Sequence, residues 1–205
     1  MEGKDHLENL SYIRSLMESS TRFISLSGLS GVAAGFWALC GASVIYVLSD
    51  GGFNGLAYDQ RPFGINTMVF ELMVAMAVLA LALASGYFFT ARKVRSTGAK
   101  LWTKASLNLT INLAIPLVAG GVFCLILMYH GMWVLVGPST LIFYGMGLLN
   151  GGKYTRNDIR KLGIVQIMLG LTSLLFLKYT LLFWAFGFGV LHVLYGLYMY
   201  FKYDR

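Results

Sequence analysis

Charge is what this chain of 205 residues lacks most, for Asp, Glu, Lys and Arg together make up 12% of it against 57% hydrophobic residues. Average soluble domains hold about 25% charged residues, so a water-exposed globule is excluded for want of polar surface. Acids are the scarcer sign, nine in all, and there are three histidines. They form no HExxH and no acidic phosphate-metal cluster, and neither a P-loop nor a dinucleotide fingerprint occurs. Neither a metal site nor a cofactor is expected. Cysteine is almost missing: Cys40 and Cys124 make no CxxC and no disulfide framework, which leaves them as packing residues.

What remains is apolar sequence in six stretches, at 23–48, 67–91, 107–129, 132–149, 159–177 and 180–201. Each is near or above the ~20 residues that a helix needs to cross ~30 Å of hydrocarbon. They predict an all-α polytopic transmembrane bundle of six helices over residues 23–205, preceded by a separate segment at 1–22. The first stretch is too long for a removable signal peptide and is expected to stay as an anchor.

The net charge of +7 would suggest nucleic acid in a soluble protein, but its placement gives another cause. Residues 92–104 carry Arg92, Lys93, Arg95, Lys100 and Lys104 without an acid, and the linker after the fourth stretch carries Lys153, Arg156, Arg160 and Lys161 against Asp158. The alternate linkers hold Asp50, Asp59 and Arg61, then His130, then Lys178. That is the positive-inside pattern. It predicts that both termini are cytoplasmic (N-in, C-in) and explains most of the excess charge without a polyanionic partner. No nucleic acid is expected, and the partner is the lipid bilayer, whose anionic inner leaflet attracts the basic residues as a by-product.

Residues 5–22 read as an amphipathic helix, with Leu7, Leu10, Ile13, Leu16 and Met17 at helical spacing and Glu8, Glu18 and Arg22 opposite. Two uses stand open: lying in the membrane interface, or docking a cytoplasmic protein partner. In the first stretch Gly31 and Gly35 form a GxxxG pair and Ala34, Ala38 and Ala42 continue it. Small residues let helix backbones approach closely, at the centre of the bundle or in a homo-oligomer. Residues 49–66, rich in glycine, read as an irregular outer loop. Thr155 with Asp158 predicts an N-cap pair, and Pro116 and Gly137-Pro138 are candidates for helix interruptions.

Ionisable groups in hydrocarbon are costly and invite functional hypotheses. Glu71 and His192 are the clearest. At ~1.5 Å per residue Glu71 lies ~6 Å below the outer boundary, with Lys178 and Arg61 near it in depth, and His192 lies close to mid-membrane. Asn112 and Gln166 belong to the inner half, beside Asn108 and Thr110. Each has a structural reading, as an ion pair or an interhelical hydrogen bond, and a functional one, as the lining of a transport site. The two three-helix halves show no internal similarity that would support an inverted repeat.

Gly28-Leu29-Ser30-Gly31 resembles the GxSG nucleophile motif of rhomboid intramembrane proteases, and His192 resembles their general base. The resemblance covers those five positions and includes no His/Asn oxyanion element. The region 141–203, through Leu141-Ile142-Phe143-Tyr144-Gly145, Lys153-Tyr154-Thr155 and the run from Phe183 to His192, resembles small bacterial multi-pass membrane proteins of unknown function. It implies a bacterial cytoplasmic membrane and a related bundle. The function expected first is a non-enzymatic membrane scaffold or sensor; the alternatives are a transporter or channel for a small solute or lipid and, more remotely, a Ser30/His192 hydrolase.

Overall fold

The computed structural model describes residues 27–48, 65–96, 98 and 102–204, with backbone alone for 65–68. The expected helix at 5–22, Arg61 and most of the loop at 49–66 lie outside the described residues. Of the described residues, 93% are helical and none is in a strand, the all-α class expected. α1 is Gly28–Leu48, α2 Ile65–Ser96, α3 Lys104–Tyr129, α4 Val136–Gly151 and α5 Asn157–Leu175. The last stretch forms α6, Thr180–Trp184, then a π-helical segment, Ala185–Val190, then α7, Leu191–Tyr203.

Among the described residues, five helical runs are long and apolar enough to cross a membrane: α1, Val69–Ser96, α3, Trp133–Tyr154 and Leu177–Tyr203. The fifth stretch of sequence is helical but falls outside this class. Its 19 residues include Asp158, Arg160, Lys161, Gln166 and Ser173, which dilute its hydropathy.

Glycine decides which helices touch. A Cβ on Gly31 would lie 3.1 Å from Gly196 Cα, and one on Gly196 only 2.7 Å from Gly28 O, so α1 and α7 run backbone to backbone. Gly35 continues the seam against Gly189 O, and Ala38 is 3% exposed. The GxxxG stripe is therefore used inside the bundle. A second seam joins α4 to α5, where a Cβ on Gly145 would stand 2.6 Å from Gly163 O and one on Gly163 2.8 Å from Gly145 O. Close packing of this kind replaces the hydrophobic drive that lipid removes.

The outer helices are held differently. α2 lies along α1, α3 lies along α4, and the two meet where Val94 packs with Ala105 and Leu109. Neighbours run antiparallel, so the basic residues of α2, α3, α4–α5 and α7 collect at one end, and Glu71, His130 and Lys178 belong to the other.

Two local expectations fail for identifiable reasons. α3 runs unbroken through Pro116. Proline removes the partner of the carbonyl four residues back, and that carbonyl, Asn112 O, accepts Asn150 Nδ2–H at 3.0 Å instead. Pro138 falls in the first turn of α4, where its missing N–H costs nothing. At the start of α5 the N-cap is Arg156, without a side-chain cap bond, rather than the Thr155–Asp158 pair. Asp158 is engaged by α7 instead.

Candidate functional site

The π-helical segment widens the turn around Gly187, and two side chains donate to its carbonyl. Gln166 Nε2 on α5 does so at 2.8 Å and His192 Nδ1 on α7 at 2.9 Å. A carbonyl only accepts, so Nδ1 carries the imidazole proton and Nε2 is left to accept the Tyr144 hydroxyl at 2.7 Å. The ring thus links α4, α5 and α7, with Gln166 fully buried and His192 6% exposed. Glycine is needed at 187 because a Cβ there would lie 2.5 Å from Leu141 Cδ2 and 2.7 Å from Gln166 Oε1. Phe188 stacks on His192 at 5.9 Å and 17°, and Trp184 lies 5.1 Å from Phe188. Rings one helical turn apart therefore form a ladder from residue 184 to the histidine.

Trp184 also belongs to a cleft of about 140 Å³ at the end remote from the basic residues. There α2 and α3, tied together at Val94, are each backed by a different helix. Gly41 of α1, Leu72 and Val78 of α2, Met128 of α3, and α4 and α6 wall the cleft, and Glu71, Thr140, Thr180, Trp133 and Trp184 supply its polar and aromatic lining. Thr140 Oγ1 donates to Gly137 O at 2.7 Å and Thr180 Oγ1 to Leu177 O at 2.8 Å. With those protons committed, both hydroxyls face other groups as acceptors. Glu71 already takes part in an interaction of its own.

At the basic end the last residues clasp the bundle. Asp204 accepts Gly28 N–H at 2.8 Å and the Ser27 hydroxyl at 3.3 Å through one oxygen and pairs with Lys93 at 2.5 Å through the other. A carboxylate at the N-terminus of α1 also meets the positive end of the helix dipole. Asp158 accepts Lys202 Nζ at 3.1 Å and the Tyr203 hydroxyl at 3.0 Å, while the Arg156 guanidinium covers the Tyr203 ring at 3.5 Å. Burial alone would raise the Asp158 pKa, but hydrogen bonds from Lys202 and Tyr203 and the charges of Lys202 and Lys161 hold it below the ordinary value.

The polar residues singled out in the sequence thus divide three ways. His192 and Gln166, expected at different depths, share one carbonyl, because the glutamine side chain and the one-turn offset of Gly187 span the few ångströms between them. Glu71 lines the cleft. Asn112 belongs to neither: its Nδ2 donates to Asn108 O at 2.8 Å and its carbonyl is taken by Asn150. Ser30 Oγ donates to Ser27 O at 2.5 Å, and both imidazole nitrogens of His192 are engaged by Gly187 and Tyr144. No group of three or more potential metal ligands occurs among the described residues.

The chain matches no family model, no curated protein and no solved structure. The site is read from its own chemistry. Sequence reasoning passed over Tyr144, whose hydroxyl in mid-stretch needs a buried partner, and passed over Trp133 and Trp184 as well. Thr140 and Thr180 carried no sequence signal, since only the fold brings them into one cleft lining with Glu71.

Proposed function

We propose that this protein is a non-enzymatic, six-span membrane sensor with both termini in the cytoplasm. It takes a small lipophilic ligand into the Glu71 cleft and passes that occupancy to the clasp at the basic end. The observation that carries this reading is the aromatic ladder: Trp184 in the cleft wall meets Phe188 at a tilt, and Phe188 stacks on His192 of α7, while α7 ends in the residues that bind Asp158, Lys93 and the start of α1. Because His192, Gln166 and Asn112 do not line the cleft among the described residues, the arrangement favours binding over passage. A signal reaching the clasp is then available to a cytoplasmic partner, with residues 5–22 as the segment that recruits it.

A fluorophore on Ser96→Cys, close in sequence to Lys93, reports on the clasp in a Cys40→Ala, Cys124→Ala background. In vesicles, a panel of lipophilic solutes of all charge types is expected to include one that shifts its emission without net solute movement. Phe188→Ala is expected to keep the binding and lose the shift. Solute flux through the protein would replace the sensor with a transporter, and a shift unaffected by Phe188→Ala would remove the ladder from the mechanism.

A further inference from the structure

Resting on the cleft being a ligand site, we infer that its ligand class is an alkylammonium: a protonated amine carried on a hydrocarbon chain. The lining is rich in acceptors. Glu71 contributes two carboxylate oxygens, and the Thr140 and Thr180 oxygens, their protons already given to Gly137 O and Leu177 O, contribute lone pairs only. The remaining polar groups of the described lining are the Trp133 and Trp184 indoles, whose N–H groups donate and whose faces attract cations. Among the described lining residues, the one with a charged side chain is Glu71.

A group with several N–H donors and a positive charge satisfies such a lining; an alcohol leaves the carboxylate poorly matched, and an anion is repelled by it. An incoming ammonium exchanges for the contacts Glu71 already makes. Size agrees with a head group rather than a whole drug-sized molecule, because about 140 Å³ is below the ~300 Å³ at which ligand pockets usually begin. The hydrocarbon chain passes along Leu72, Val78 and Met128, the apolar walls contributed by α2 and α3.

The test is equilibrium binding of radiolabelled hexylamine to the full chain in phosphatidylcholine nanodiscs, with hexanol and hexanoate as competitors. Hexylamine is expected to bind saturably, the two competitors at least about tenfold more weakly, and Glu71→Gln to weaken hexylamine by at least about tenfold. Glu71→Asp retains the charge and is expected to lose only a few-fold; Thr140→Val, which removes an acceptor without touching the carboxylate, also loses a few-fold. Nanodiscs containing phosphatidylethanolamine separate the two sources of the group. Competition with hexylamine assigns the cleft to the lipid head group, and its absence to a free amine. Hexanol binding as tightly as hexylamine, or folded Glu71→Gln binding unchanged, overturns the ammonium assignment while leaving a ligand cleft in place. Saturable binding of none of the three overturns the cleft itself.

Discussion

The basic end and the Glu71 end of this bundle direct their donor protons in opposite ways. At the basic end Asp204 takes an ammonium from α2 and the first N–H of α1, and Asp158 takes an ammonium and a phenol from α7. Donors from neighbouring helices converge on each acid, which fixes geometry. At the other end the nearby hydroxyls turn their protons away from the cleft, toward their own backbone, and the walls stand apart. One end directs its donors at its acids, and the other commits its hydroxyl protons to the backbone. α2 and α3 meet at Val94, Ala105 and Leu109 near the basic end, and the cleft lies at the other end of the same two helices.

The largest effect is expected where the seam leaves no room. In Gly196→Leu the new Cβ would press on Val32 N and on Gly28 O, both backbone, so the collision has no soft side chain to absorb it. A loss of about 3 kcal/mol is expected, read as a much lower unfolding midpoint in detergent, whereas Gly121→Leu, with nothing within 4 Å among the described residues, should change little. Equal midpoints for the two variants would refute the seam. Next comes Asp204→Asn, which breaks the Lys93 pair and weakens the cap on α1. With side chains 17% and 8% exposed for Lys93 and Asp204, about 2 kcal/mol is expected. Lys93→Met should cost a similar amount, and the double variant clearly less than the sum. Full additivity would mean that the ion pair contributes nothing.

The small-residue seam of α1 and the charged end were legible in the sequence; the α4–α5 seam, the cleft and the π segment were not. Gly31, Gly35 and Ala38 declare close packing by their spacing, and one-sided Lys and Arg linkers declare an end. Those signals are local. Gly187 looks like any glycine in a Phe-rich run, because its role depends on a Gln 21 residues earlier and a His five residues later meeting one carbonyl. Pro116 misled in the opposite direction, since the residue that compensates for it, Asn150, arrives from another helix. Asp158 misled for the same reason: the local pattern assigns it to its own N-cap, but α7 supplies stronger donors. The fifth apolar stretch was visible as a helix, while its polar residues kept it outside the class of clear membrane-crossing helices.

The smallest expected effect is the pH dependence of the Asp158 contacts, because Lys202 is 43% exposed and Lys161 80% exposed, and exposed pairs contribute little. An unfolded aspartate titrates near pH ~3.9. In the folded protein the hydrogen bonds and charges of Lys202, Tyr203 and Lys161 outweigh burial and set the value lower. The unfolded chain therefore takes up the proton first as pH falls. The stabilisation is complete above about pH 4 and disappears as pH drops through the lower, folded value. Comparing the unfolding midpoints of the wild type and Asp158→Asn isolates this group from every other carboxylate. Their difference is expected to hold steady from neutral pH to about pH 5 and to shrink below about pH 4. A difference that vanished by pH 6 would mean that another group carries the dependence, and one that persisted undiminished at pH 2 would mean that the Asp158 contacts do not depend on its charge.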